Sequence, residues 1–304
     1  MFDLLIPILA PLVVIGATTG IMFLVFEWWR SRIRKRNRRS PLTRKMLRSP
    51  GETLRSEIEE LDAENTFVII MTFMGPSLLY SITLSQIHFS SRPNPTVSWI
   101  GFLVIGVAAL VYFLRQIFAN FETIRRKRLG MEGEIATGEE LNQLMLNGCR
   151  VFHDLPFEYG NIDHVVVSQS GVFSVETKTL AKSNESGSEK VTVDFTNNRI
   201  QFSDWNWGIP TKQLETNSRW LSKHLSSATG MKIEAEPMLA LPGYFIEKRI
   251  GKSNIFVFNP KQPKKFFSNS RIVFTPEQVQ QIAHQVEQLC RDVEPSFGHN
   301  KKAR

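Results

Sequence analysis

The sequence predicts an α-helical membrane region of about three spans followed by a mixed α/β domain, and three observations lead to that fold class. Apolar stretches occupy residues 4–29, 67–87 and 97–118. Excess positive charge is confined to residues 1–128, which hold 17 Lys and Arg against 9 Asp and Glu, whereas residues 129–304 hold 20 of each. Beyond residue 129 the pattern reads helix, group of strands, helix, two strands, helix, the order of a mixed sheet with flanking helices. The expected organisation is a membrane region at 1–128, a folded domain at 129–293 and a disordered tail at 294–304.

At 304 residues and 42% hydrophobic content the chain is too apolar for a disordered protein. Its two cysteines, Cys149 and Cys290, make no disulfide framework, and neither has zinc-ligand spacing. The net charge of +8 would suggest nucleic acid as a partner. Its position beside apolar stretches instead makes topology the better explanation.

The stretch 4–29 carries one charge, Glu27, and is long enough to cross a bilayer as a helix, with Trp28 and Trp29 at the interface. A cleaved signal peptide would need positive charge ahead of the apolar run, but Asp3 precedes it and the Arg-rich stretch follows. Gly75 and Pro76 lie inside the second span, where Pro76 is expected to kink the helix. The loop from His88 to Thr96 holds a single basic residue, Arg92, whereas Arg125, Arg126, Lys127 and Arg128 follow the third span. By the positive-inside rule the N-terminus is outside, while the basic segment 30–48 and everything after Arg125 are cytoplasmic. The expected location is the inner (plasma) membrane of a bacterium, as a multi-pass protein. The segment Gly51 to Glu64 reads as an acidic connector helix. Topology and anionic lipid contact explain the basic segment better than nucleic acid, since no aromatics are interleaved in it.

In the folded half, a helix from Leu129 to Gly148 is followed by strands at Arg150–Phe157, Asn161–Val167, Val172–Lys178, Val191–Phe195 and Arg199–Phe202. A helix from Pro210 to Ser226 comes next, then strands at Met238–Leu241 and Ile255–Asn259. The last helix, Pro276–Arg291, carries a stripe of Val279, Ile282, Val286 and Leu289.

The chemistry concentrates in two of these strands. If Ser168-Gln169-Ser170-Gly171 is a hairpin loop, Val167 faces Val172 and Asp163 faces Glu176. Opposed like charges destabilise a sheet, so two carboxylates there call for a cation or a shared proton. Lys178 lies two residues beyond Glu176 and projects from the same face. The alternative is a surface hairpin in which Lys178 merely screens the acids. The apolar residues around them, Ile162, Val165, Val166, Val172, Phe173 and Val175, point instead to strands buried on both faces, where charges are costly without a ligand. His153 and His164 read as packed or surface histidines, His164 pointing away from Asp163.

Asn161-Ile162-Asp163-His164-Val165-Val166-Val167, with Gly171-Val172-Phe173 and Glu176-Thr177-Lys178, resembles the core of the nuclease-related domain (NERD), in the PD-(D/E)xK nuclease-like superfamily. Gly130-Met131-Glu132-Gly133-Glu134 is similar to that family's glycine-flanked glutamate at the start of its first helix, and Pro210 with Gln213 and Asn217 to its Gln-containing helix. The resemblance covers roughly residues 130–245, and the segment Thr179–Lys190 departs from it by not following the glycine-containing continuation expected in that family. It implies a restriction-endonuclease-like mixed sheet in which Asp163 and Glu176 bind Mg²⁺ (Mn²⁺ as the alternative) and Lys178 polarises the attacking water. Glu134 would complete the metal site, and Gln213 and Asn217 would position substrate or support the metal ligands. Hard oxygen ligands suit such an ion.

For Glu134 the competing reading is a helix N-terminal charge, and for Gln213 with Asn217 it is ordinary helix surface. Lys248, Arg249, Lys252, Lys261, Lys264 and Lys265 with Phe256, Phe258, Phe266 and Phe267 could contact nucleic acid, though core strands with basic loops are favoured. Trp205 and Trp207 are expected to pack rather than stack on bases. The expected function is a membrane-anchored, Mg²⁺-dependent nuclease hydrolysing phosphodiester bonds of nucleic acid, DNA first, at the cytoplasmic face. The alternative is a catalytically silent nucleic-acid-binding or scaffold domain tethered to the bilayer, consistent with the neutral charge of residues 129–304. A sensor or transporter is disfavoured, because the spans lack deep ionisable residues.

Overall fold

Helix α1 spans Glu52–Phe89 and α2 spans Thr96–Asn142, both in a computed structural model that describes residues 13, 16, 17, 20, 21, 23–28, 31, 32, 41–89, 96–182, 188–263 and 271–295. Most of the apolar stretch 4–29, residues 33–40 of the basic segment, residues 90–95, 183–187 of the stretch after Lys178, Lys264 to Phe267, and 296–304 of the tail lie outside the described residues. The chain divides into two compact units, one drawn from residues 1–41 and 59–125, the other from 42–58 and 126–296.

In the first unit the stretches 67–87 and 97–118 are helical throughout, within α1 and α2. Gln116 Nε2 donates to Glu64 Oε1 at 3.0 Å and Asn120 Nδ2 to Asn65 Oδ1 at 2.9 Å, tying the two helices together. Many of their described apolar side chains, Phe67, Ile70, Tyr80, Val104, Ile105, Tyr112 and Phe118 among them, are exposed, whereas Val68 and Ile124 are buried. Among the described residues one helical stretch, Val104–Asn147, is long and apolar enough to cross a membrane.

Two helix boundaries differ from expectation. No separate connector ends at Glu64, because α1 continues through it and on through Gly75 and Pro76. No helix begins at Leu129 either. From Phe118 to Leu129 there is neither Gly nor Pro to stop propagation, so α2 runs unbroken to Asn142. A 3₁₀ turn, Gln143–Asn147, then ends at Gly148 in the left-handed conformation, φ +84°.

In the second unit, five strands form a sheet in the order β1-β2-β3-β7-β9: β1 (Arg150–Phe157), β2 (Gly160–Ser168), β3 (Gly171–Thr177), β7 (Ala235–Ala240) and β9 (Phe256–Phe258). The first three are antiparallel neighbours, while β7 and β9 join parallel. A second sheet has the order β6-β5-β4-β8: β4 (Lys190–Asp194), β5 (Arg199–Gln201), β6 (Asn206–Gly208) and β8 (Phe245–Ile250). Strands β6 and β8 are not anticipated by the pattern. Asn-Trp-Gly is too short to show a period, and Phe-Ile-Glu-Lys-Arg-Ile has charges where alternation would put apolar residues, its side chains being mostly exposed.

Alternation along β2 and β3 builds two cores. Val165, Val167 and Val172 pack with Leu221 and Leu225 of α3 (Thr211–Thr229) and with Val279, Ile282 and Val286 of α4 (Pro276–Cys290). Val166, Phe173 and Val175 face the other way, onto Leu141, Leu144 and Met238. A strand buried on both faces reads as a continuous apolar run, and each fully buried aliphatic contributes about 1.5–3 kcal/mol. Leu214 of α3, with Leu239 and Val257, closes a third cluster against Val191, Val193 and Ile200 of the second sheet.

Helix α3 starts after Pro210 and ends at Gly230, φ +72°. Helix α4 starts at a capping box made by Thr275 and Gln278, with Pro276 in its first turn. One strand breaks its alternation. Phe152 and Leu155, three residues apart, join the same cluster, because Asp154 between them has φ +51° and turns the strand over.

Candidate active site

Hairpin β2–β3 sets the site. Its pairs run Ser168 with Gly171, Val167 with Val172, Val166 with Phe173, Val165 with Ser174 and His164 with Val175. The register is the one expected; only the loop is shorter, since Ser168 and Gly171 pair and leave Gln169-Ser170 as the turn. One step further along both strands come Asp163 and Glu176. There the Thr177 N–H donates to Asp163 Oδ2 at 2.7 Å, so the carboxylate is held at the strand end by the backbone of the Glu-Thr-Lys segment.

Glu176 has partners on both oxygens. Oε1 accepts from Lys178 Nζ and from Gln213 Nε2, each at 2.6 Å, and Oε2 accepts from Asn217 Nδ2 at 3.1 Å. Positions 213 and 217 are one turn apart in α3, so one face of that helix delivers both amides. The crossover from β3 to the parallel β7 brings α3 there. Asn217 is accordingly buried, which no ordinary surface position requires.

Glu134 reaches the same place from α2. It does not sit at a helix N-terminus, as its glycine-flanked motif suggests: α2 begins 38 residues earlier, at Thr96. Its neighbour Gly133 lies against the Thr179 side chain so closely that any Cβ at 133 would overlap it. The missing side chain lets the helix approach the residue that follows Lys178. Glu134 is 7% exposed, and its Oε2 is buried with no hydrogen-bond partner.

Three buried carboxylates therefore share a neighbourhood with one amine. Burial, then the charges of Glu176 and Glu134, push Asp163 well above the ordinary carboxylate range. Burial, then Asp154 and Glu176, push Glu134 up to about 8. Burial also raises Glu176, against the opposing pull of Lys178 and Gln213. Burial works against the Lys178 charge, but Glu176, Asp163 and Glu134 outweigh it and hold the ammonium protonated more firmly than usual. With all three acids ionised, the one ammonium would leave two negative charges, which a divalent cation would neutralise; burial without such a cation favours the protonated acids.

The donor set fits a hard cation in kind: all oxygen, buried, with one carboxylate oxygen unpartnered. As the side chains stand, no three His, Cys, Asp or Glu groups among the described residues converge closely enough to hold an ion. Lys178 and Gln213 occupy the Glu176 oxygen that such an ion would compete for.

Sequence reasoning missed a second polar cluster beside the first. Asp154 is fully buried. Its Oδ2 accepts from Arg48 Nη1 at 2.6 Å, from Thr53 N at 2.9 Å and from Thr53 Oγ1 at 2.8 Å, and its Oδ1 accepts from Asn161 Nδ2 at 2.6 Å. Arg48, expected at the end of the cytoplasmic basic segment, also forks onto Asp292 through Nε and Nη2, at 2.8 and 3.0 Å. The available signal was a lone acid between His153 and Leu155 in a strand with no other carboxylate.

The two histidines are packed, as expected. His153 Nδ1 and His164 Nδ1 lie 2.9 Å apart, sharing one hydrogen bond; His164 Nε2 meets Thr177 Oγ1 at 3.1 Å and His153 Nε2 meets Asn142 Oδ1 at 3.1 Å. Burial lowers His153 to about 4 and moves His164 well below its usual value. Both rings are neutral near pH 7. In the basic and aromatic region, Phe258 is buried, and Arg249 donates to the Val257 carbonyl at 2.8 Å while its guanidinium lies 5.3 Å from the Phe256 ring centre. Trp205 stacks on Phe202 at 4.4 Å.

Comparison with known proteins adds a family to this geometry. Residues 129–242 match the family described as nuclease-related domain, a range that holds Glu134, the β2–β3 hairpin and the α3 amides. No curated protein and no solved structure matches the chain. The segment 129–242 of this protein is thus a NERD, or nuclease-related, domain.

Proposed function

We propose that the protein is a membrane-anchored, divalent-metal-dependent nuclease that hydrolyses phosphodiester bonds of nucleic acid, DNA in the first instance. The observation that carries this reading is the buried cluster of Glu134, Asp163 and Glu176 around Lys178, inside a nuclease-related domain. Asp163 and Glu176 would hold Mg²⁺ or Mn²⁺, with Glu134 completing the set through its unpartnered oxygen. A divalent ion bound there supplies charge stabilisation at phosphorus and lowers the pKa of a water nucleophile.

The side chains do the rest. Thr177 N–H orients the Asp163 carboxylate, and Gln213 and Asn217 fix the rotamer of Glu176. Lys178 keeps a permanent positive charge at the site, where phosphoryl oxygens gain negative charge during hydrolysis. Membrane anchorage is supported by the apolar helical stretch Val104–Asn147 and by the exposed apolar residues of α1 and α2. The apolar stretch 4–29 would add a third span, giving a multi-pass protein of a bacterial inner membrane with its N-terminus outside and its nuclease domain cytoplasmic.

The test is cleavage by the full chain, in detergent or vesicles, of single- and double-stranded DNA and RNA. Activity is expected with Mg²⁺ and none with excess EDTA. Asp163→Ala, Glu176→Ala and Lys178→Ala should each lower the rate by about 100-fold or more. Unchanged cleavage in all three variants refutes the site.

A second reading is a silent nucleic-acid-binding or scaffold domain. It draws on the fully bonded Glu176 oxygens and on the absence, among the described residues, of three converging metal-type ligands. Binding without turnover, with affinity that falls steeply as salt rises, would favour it.

A further inference from the structure

We propose that Arg48, which lies outside the nuclease-related match, is a positioning residue for the acidic cluster, bracketing the helix that carries Glu134 to the strand that carries Asp163. The inference rests on the metal-site reading above and names a part of the site that the family range, 129–242, does not contain.

The bracket has two ends. On the strand side, the Arg48 guanidinium holds Asp154 of β1, and the same carboxylate takes the Asn161 amide two residues before Asp163 in β2. On the helix side, the turn after Arg48 lies flat on α2. A Cβ at Gly138 would come within 2.6 Å of Pro50 Cγ, so only glycine admits the turn, and Leu54 lies over Gly130 one turn before Glu134. Thr53 joins the two ends, because its N–H and hydroxyl both donate to Asp154 and its Oγ1 also accepts from Arg48 Nη1 at 2.9 Å.

All three nitrogens of the fork are engaged. Nη1 serves Asp154 and Thr53, while Nε and Nη2 take Asp292 in the bidentate geometry that only a guanidinium provides. The backbone seals the junction: Arg48 N donates to the Cys290 carbonyl at 2.9 Å, and Met46 and Val293 exchange hydrogen bonds at 2.8 and 3.2 Å. Groups that support metal ligands from behind change metal affinity without touching the ion. Asn161, two residues before Asp163 in β2, and Pro50, set against Gly138 one turn after Glu134 in α2, would act on those ligands through the backbone of the same strand and helix.

The experiment uses the full chain in detergent micelles and measures Mn²⁺ affinity from the paramagnetic resonance signal of free Mn²⁺. Arg48→Met is expected to weaken Mn²⁺ binding about tenfold with an unchanged circular-dichroism spectrum, and Asp292→Asn, which keeps the Asp154 pair, by less. Wild-type affinity in a folded Arg48→Met variant overturns the proposal. Should Arg48→Met fail to fold, Asp292→Asn decides alone: weakened binding supports the bracket and unchanged binding overturns it. Absence of Mn²⁺ binding in the wild type removes the metal-site reading, and this inference with it. Wild-type binding that is lost in Asp163→Asn but kept in Arg48→Met removes the bracket only.

Discussion

Glu134 stands beside the Glu-Thr-Lys segment because residue 133 has no side chain, and this reverses the usual sign of a substitution. Gly→Ala inside a helix normally stabilises by about 1 kcal/mol. Here the new methyl would overlap Thr179, so Gly133→Ala should destabilise by about 1–3 kcal/mol. Gly133→Ala with Thr179→Ala should recover most of that loss, and urea unfolding of the two variants checks it. At His153 the effect appears with pH. Burial lowers the ring to about 4, although the neighbouring Asp154 opposes this, and His164 and Asn142 face it without charge. The unfolded ring titrates near 6.5, so the unfolded state binds the proton first. His153 therefore contributes stability that is fully present above pH 6.5 and is lost as pH falls towards about 4, by up to about 3 kcal/mol. Urea midpoints at pH 7.5 and pH 5.0 should differ in that direction, and His153→Phe should flatten the difference.

Among the elements, α3 shows how a helix face becomes part of a strand's chemistry. Asn217 donates to a buried carboxylate oxygen, so Asn217→Ala should cost about 1–3 kcal/mol. Glu176→Gln should change that cost, since an amide needs different partners from a carboxylate. A double-mutant cycle with a coupling of about 0.5 kcal/mol or more is the expected outcome. The parts of the site that share local elements were legible in the sequence. Alternation of Val165 to Val167 with Val172 to Val175 gives the hairpin register, and a spacing of four gives the paired amides. The start of α2 was not legible, because nothing between Phe118 and Leu129 breaks a helix and the glycine-flanked motif imitates a beginning. Strand β8 was hidden by Glu247, Lys248 and Arg249, which suit a strand with mostly exposed side chains. Asp154 was passed over because its partners Thr53 and Arg48 are 101 and 106 positions away, and no local period reports such a contact.

At the scale of the whole molecule, the family range and the physical unit do not coincide. Residues 42–58 belong to the same compact unit as 126–296. A chain cut to 126–304 keeps every residue of the family match and loses the cation opposite a fully buried Asp154. Removing one partner of such a pair typically costs about 3–5 kcal/mol. The cut chain should therefore melt well below the full chain in the same detergent, or fail to fold, while Asp154→Asn in the cut chain recovers part of the loss. Thermal unfolding followed by tryptophan fluorescence reads both outcomes.

Arg48 and Asp292 are separated by 244 positions, and that interval is also a delay. At about 5–20 residues per second, the ribosome exposes the arginine roughly ten to fifty seconds before its acid partner exists. Helices α1 and α2 leave the exit tunnel inside that window, so both can form before the clasp closes. A stop codon upstream of position 290 would release a chain whose first and last segments never meet.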